Sequence, residues 1–175
     1  ISDTTDSDRL PVGQTVVSIM GEMGRAFDGG YAEYALLPND QLYPVTTTLS
    51  WPDLAAVPET YYTAFGALKG LRLAPHDTLL VRGGTSGVGV AATKLARALD
   101  PTIQITGTTR SLAKAPAMQA LGYSTVITDT AGHLGTNQTF TKILELIGPK
   151  TLQDSLTHLA EDGIASCTGE LGGVW

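Results

Sequence analysis

The chain has 175 residues, with 11 Lys and Arg against 17 Asp and Glu, a net charge of −6 and a single cysteine, Cys167. One cysteine excludes a disulfide scaffold. The acidic balance, with no Lys/Arg cluster, argues against a broad basic face for nucleic acid, and no apolar run reaches the roughly 18 residues of a membrane span. Hydrophobic residues make up 42%, enough for a core, so disorder is not expected.

The chain starts at Ile1 and stops at Trp175 directly after an apolar run, and it reads as part of a larger protein. It carries no basic-plus-apolar signal segment, so a cytoplasmic setting is expected. Residues 1–60 are rich in Gly, Pro and Thr. Their short apolar runs, Thr15 to Met20, Tyr31 to Leu37 and Leu42 to Val45, predict strands of an irregular β-rich region.

From residue 61 strands and helices alternate. Leu79-Leu80-Val81 predicts a buried strand, and the pattern Val90, Leu95, Ala96, Leu99 a helix. Ile103-Gln104-Ile105 predicts a second strand, Ser111 to Leu121 a helix capped by Gly122, and Thr125-Val126-Ile127 a third strand. Lys142 to Ile147 predicts a fourth strand, residues 149–160 contain a helix with Pro149 near its start, and Gly163 to Cys167 forms a fifth strand. Such repetition implies an α/β fold, a doubly wound parallel sheet with right-handed crossovers.

The most informative segment is Val81 to Ala92, which places Gly83, Gly84, Thr85, Ser86, Gly87, Val88 and Gly89 between a strand and a helix. A dinucleotide-binding turn needs this context, so that helix N–H groups and the positive end of the helix dipole face a diphosphate. The pattern reads Gly84-x-Ser86-x-x-Gly89, with Ser in the middle position. The offset reading Gly87-x-Gly89-x-x-Ala92 starts late after the strand. An NAD site places an acid about 20 residues past the first glycine. Here that region is Thr106 to Ser111, without an acid, and Arg110, Ser111 and Lys114 suit a ribose 2′-phosphate instead. NADPH is therefore favoured over NADH. A methyltransferase-like domain would want an acid at the same place, and Arg110 stands against it.

Several segments recur in order: Gly29 to Tyr34, Ala55 to Glu59 with Thr63-Ala64, the glycine-rich turn, Leu144 to Gly148, Asp154-Ser155-Leu156, and Thr168 to Gly173. Together they resemble the medium-chain dehydrogenase/reductase superfamily, in particular its zinc-independent quinone oxidoreductase (zeta-crystallin-like) branch. The resemblance implies that residues 1–60 are the C-terminal part of a GroES-like catalytic domain. Residues 61–175 would be an NADPH-binding Rossmann domain without its last strands. It places Gly84 to Gly89 at the diphosphate, Arg110 and Lys114 at the 2′-phosphate, and Thr63 near the nicotinamide. Gly148, Thr168, Gly169 and Leu171 would line the coenzyme. Asp129 stands where many relatives carry an aromatic residue, so stacking on the adenine is not expected there.

The other chemistry-bearing residues read as structural. His76, His133 and His158 are isolated, no zinc spacing is present, and Cys167 is expected in the core. Glu33 reads as a solvent-facing carboxylate on a strand. Glu145, on the fourth strand, would be costly if buried unpaired, so it is expected to bond backbone groups or the coenzyme edge. The implied reaction is hydride transfer from NADPH to a quinone or enone, with no nucleophile or metal. The alternative is a nucleotide-binding module without catalysis. Implied partners are a small-molecule acceptor and, optionally, a second copy of the chain, with neither nucleic acid nor membrane.

Overall fold

The computed structural model describes residues 1–173; Val174 and Trp175 lie outside it. The chain divides into two compact units, Ile1–Tyr62 and Thr63–Trp175.

The first unit holds β1 (Val16–Val17), β2 (Tyr43–Pro44) and α1 (Trp51–Ala55), and the division falls within α2 (Pro58–Gly70). Its ladder is a two-residue antiparallel pair, Val16 with Pro44 and Val17 with Tyr43. The expected β-rich texture is thus reduced, among the described residues, to this pair and an isolated bridge between Met23 and Phe27. Tyr31 to Leu37 forms no strand, and Tyr31, Tyr34 and Leu36 are exposed. Glu33 accordingly lies in a bend rather than on a strand, exposed as expected. The physical reason is burial: Leu10 and Leu54 are the buried apolar residues of this unit, too few to hold a sheet face. α1 starts at Ser50, whose hydroxyl accepts from the Asp53 N–H. Neither α1 nor α2 is anticipated by the apolar periodicity.

The second unit continues with β3 (Thr78–Arg82), α3 (Gly87–Leu99), β4 (Gln104–Thr109), α4 (Ala115–Ala120) and β5 (Thr125–Thr130). It ends with β6 (His133–Leu134), β7 (Phe140–Glu145), α5 (Leu152–Thr157) and β8 (Leu159–Cys167). The sheet order is β6-β5-β4-β3-β7-β8, parallel except for the short β5–β6 hairpin. All five predicted strands and three helices of this region are present with shifted ends. The second helix is split, a 3₁₀ turn over Leu112–Lys114 preceding α4, because Pro116 is accommodated only in the first turn of α4. β8 starts earlier than predicted, and its register jumps from Leu159 opposite Phe140 to Ile164 opposite Lys142.

Strand order reverses between β3 and β7. Right-handed crossovers then put α3 and α4 on one face and α5 on the other. Arg97 of α3 ties the first pair together, donating to Gly122 O at 2.8 Å and to Ser124 Oγ at 2.7 Å. With both faces covered, β3 is apolar on both sides. Leu80 packs with Leu134, Phe140 and Ile143 in one cluster. Arg82 follows at period two and so falls on the same face as Leu80. Each fully buried leucine contributes about 1.5–3 kcal/mol.

Candidate functional site

The turn after β3 is built by two glycines and a serine. Gly83 takes φ +87, which a side chain would strain, and its N–H donates to Thr108 Oγ1 at 3.0 Å. Ser86 caps α3: its Oγ accepts from the Gly89 N–H at 3.1 Å. Serine in the middle position therefore has a local cause, since it satisfies one of the donors every helix start leaves open. Gly89 is required by packing, because a Cβ there would meet Gly83 O at 2.8 Å. Gly87 and Val88 start the helix, so their N–H groups have no intrahelical acceptor.

Beside the turn lies a buried charge network. Arg82 has 0% exposure. Its Nε and Nη2 donate to Asp129 Oδ2 and Oδ1 at 2.8 and 3.0 Å, and Nη2 also donates to Gly132 O at 2.8 Å. Nη1 donates to Thr151 O and Ser155 Oγ at 2.8 and 2.9 Å and lies 2.9 Å from Asp154 Oδ2. Burial alone would lower the Arg82 pKa, but the hydrogen bond and charge of Asp129, with the charges of Glu145 and Asp154, raise it overall. Glu145, Arg82's neighbour across the ladder, is equally buried. It accepts from the Ile147 and Gly148 N–H groups at 2.8 and 3.1 Å and from the hydroxyls of Thr151 and Ser155 at 3.0 and 2.5 Å. Glu145 thus bonds backbone groups, as its cost of burial demands. Burial works to raise the Asp154 pKa. The hydrogen bonds from His133 and the Leu134 N–H, with Arg82, outweigh it and hold the carboxyl below its ordinary value.

At the carboxyl ends of the strands, astride the β3–β7 reversal, opens a cleft of about 810 Å³. Crevices of this kind are where open α/β sheets take ligands. Thr85, Ser86, Arg110, Lys114, Lys150 and Leu171 are among the residues that line it. The three cations are exposed, and none is paired with a carboxylate among the described residues. Asp129 also reaches the wall, with its side chain 12% exposed and its charge matched by Arg82.

The remaining predicted residues stand elsewhere. Gly84 is buried behind the turn, where a Cβ would meet Met118 at 3.0 Å. Gly87, Val88 and Gly89 form the first turn of α3. Exposed Ser111 is fastened to Thr109, whose hydroxyl accepts from the Ser111 N–H at 3.2 Å. Gly148, at φ +86, packs its backbone on Gly169, where a Cβ would meet Gly169 O at 2.6 Å, and Gly169 packs in turn on Leu146. Thr168 donates its N–H to Glu145 O at 2.9 Å. Ser111, Gly148, Thr168 and Gly169 do not reach the cleft wall, and neither does Thr63, which sits on α2. Cys167 corrects the sequence expectation: it is exposed at the end of β8, which has no strand on its outer side among the described residues. Among those residues no group of three His, Cys, Asp or Glu could hold a metal ion, and no helix is long and apolar enough to cross a membrane.

No protein-family profile matches the chain. Over 71 residues it is 42% identical to the quinone oxidoreductase of Mus musculus, covering 40% of this chain and 22% of that protein. It is 28% identical to YhfP of Bacillus subtilis over 180 residues, 97% of this chain and 54% of YhfP. The YhfP crystal structure with NAD bound superposes with a TM-score of 0.80 at 26% identity, over 100% of this chain and 55% of that one. In sequence and fold the chain is similar to members of the medium-chain dehydrogenase/reductase superfamily. YhdH of E. coli K-12 with bound NADPH, 22% identical with a TM-score of 0.83 over 99% of this chain and 55% of its own, shares the fold. The chain spans about half the length of the superfamily members it matches from end to end.

The superfamily pattern of glycines does not point to Gly132, Lys150 or Thr151 as wall residues, because they follow other strands than the glycine turn does. The available signal is topological: residues at or just past the carboxyl ends of β5 and β7 converge on the reversal point. Nor does the apolar run Leu79-Leu80-Val81 announce that the next residue, Arg82, is wholly buried.

Proposed function

We propose that the chain is the coenzyme-binding part of an NADPH-dependent oxidoreductase that reduces a quinone or enone without zinc. In this reading residues 1–60 are the remainder of a GroES-like catalytic domain and 61–175 the Rossmann domain. The observation that carries it is the cleft at the strand reversal, lined by Thr85 and Ser86 of the glycine turn and, among the described residues, by three cations without a carboxylate partner. The names of the superfamily relatives support the reaction class. A bound dinucleotide phosphate brings excess negative charge, and uncommitted Arg and Lys side chains offset it. The carboxylate of Asp129 does not oppose this, since a buried guanidinium holds it on both oxygens.

The fit extends to the turn, where Thr85 lines the cleft while the space beside Gly84 is taken by Met118 and Tyr123, which a Cβ there would meet at 3.0 and 3.1 Å. When bound, the reduced nicotinamide supplies the hydride. This chain's residues bind and orient, with Thr85 and Ser86 at the diphosphate and Arg110, aided by Lys114, at the 2′-phosphate. Lys150 adds a cation that the glycine pattern does not reveal.

Calorimetry with NADPH and NADH, followed by NADPH oxidation with a simple quinone, tests the reading. NADPH should bind more tightly, and Arg110→Ala should weaken NADPH about tenfold while sparing NADH, as for one exposed charge-assisted hydrogen bond. Equal losses refute the 2′-phosphate role. No heat with either coenzyme refutes the site, and binding without turnover leaves a nucleotide-binding module.

A further inference from the structure

The glycine turn is held from behind by a side chain that is no part of the cleft surface. Tyr123, 3% exposed, lies between α4 and β5, and its hydroxyl is 2.8 Å from Gly84 O and 3.0 Å from Gly89 O. Burial pushes the hydroxyl pKa up to about 12, so it remains a donor. The chain makes room for this ring: a Cβ on Gly107 of β4 would lie 2.5 Å from two of its atoms.

The two carbonyls depend on Tyr123 unequally. Gly89 O also accepts from Thr93 Oγ1 at 2.9 Å, whereas Gly84 O has no second donor among the described residues. The Gly84–Thr85 peptide is trans, so its C=O and N–H point in opposite directions. With the carbonyl turned inward to Tyr123, the Thr85 N–H is turned outward, to the side on which Thr85 lines the cleft. That N–H has no acceptor among the described residues. A peptide rotated by half a turn would instead present its carbonyl oxygen to an arriving phosphate.

We infer that Tyr123 is a positioning residue for the coenzyme: its hydroxyl locks the Gly84–Thr85 peptide with the N–H aimed into the cleft, where it donates to the diphosphate. The inference rests on the nicotinamide-coenzyme reading above. It makes a phenol in the core a determinant of affinity for one part of the ligand.

The test compares two probes on the whole protein and on Tyr123→Phe, which keeps the ring over Gly107 and removes only the hydroxyl. NADPH carries the diphosphate; adenosine 2′-monophosphate does not. The variant should bind NADPH about five- to tenfold more weakly, the loss expected for one hydrogen bond, and should bind adenosine 2′-monophosphate as the parent does. Equal losses on both probes make Tyr123 merely structural, and no loss on NADPH overturns the inference outright. Amide exchange in the parent protein gives a second readout that needs no folded variant: NADPH should slow exchange at Thr85, and an unaltered Thr85 amide overturns the inference. A parent that binds neither coenzyme defeats the underlying reading first.

Discussion

Replacing Arg82 by Met would break the buried network while keeping a side chain of similar length. The guanidinium donates five hydrogen bonds and pairs with Asp129 and Asp154 at 2.8 and 2.9 Å. Removing one partner of a buried ion pair costs about 3–5 kcal/mol, because the other charge is left behind. Two details place this site at the lower end. Asp129 and Asp154 keep 12% and 16% of their side chains open to water, and Glu145, fully buried, retains four donors of its own. The expected loss is about 3 kcal/mol, a fall in Tm of roughly 6–12 °C for a chain of this size.

Urea unfolding at several pH values measures it. The Asp154 carboxyl is depressed in the folded protein, so the stability it shares with Arg82 is complete above the unfolded value near pH 4 and is lost as pH falls through the folded value. The gap between parent and Arg82→Met should be full at pH 7 and narrow below about pH 4. Arg82→Lys, which keeps the charge but not the planar fork, should fall between them. A loss under about 1 kcal/mol at pH 7, or a gap unchanged down to pH 3, would refute the claim that stranded carboxylates set the cost.

Two further substitutions probe the turn and its support. Ser86→Ala removes the α3 cap and should cost about 1 kcal/mol in denaturant unfolding, together with weaker binding of NADPH in calorimetry. Gly107→Ala drives a methyl group to within 2.5 Å of the Tyr123 ring. The ring cannot yield without releasing Gly84 O, so a loss of about 1–3 kcal/mol is expected, read by thermal unfolding. The Arg110→Ala and Tyr123→Phe measurements complete the set and divide the ligand between its 2′-phosphate and its diphosphate.

Much of the second unit is legible in the sequence because its signals are local. The run Leu79-Leu80-Val81 marks a strand covered on both faces, and Gly122, at φ +117, ends α4 as its position predicts. Glu145 is readable for a similar reason, since a carboxylate on a buried strand must find donors. The first unit departs from its apolar pattern because alternation of apolar residues records a preference for strand, and without enough buried partners that preference goes unused. The pairing of β6 with β5 escapes pattern reading because two residues carry no period.

The glycines, the missing acid after β4 and the cations Arg110 and Lys114 are set by the linear order of residues alone, which is why the superfamily resemblance and the expectation of a nicotinamide coenzyme can be read from sequence. Which groups share the cleft is decided only by the tertiary fold. Arg82, Asp129 and Asp154 are separated by 47 and 25 positions along the chain. Arg82 and Asp129 meet because parallel strands bring their carboxyl ends to one edge, and α5 carries Asp154 to the same place. A buried guanidinium then has to collect whatever acceptors that edge supplies.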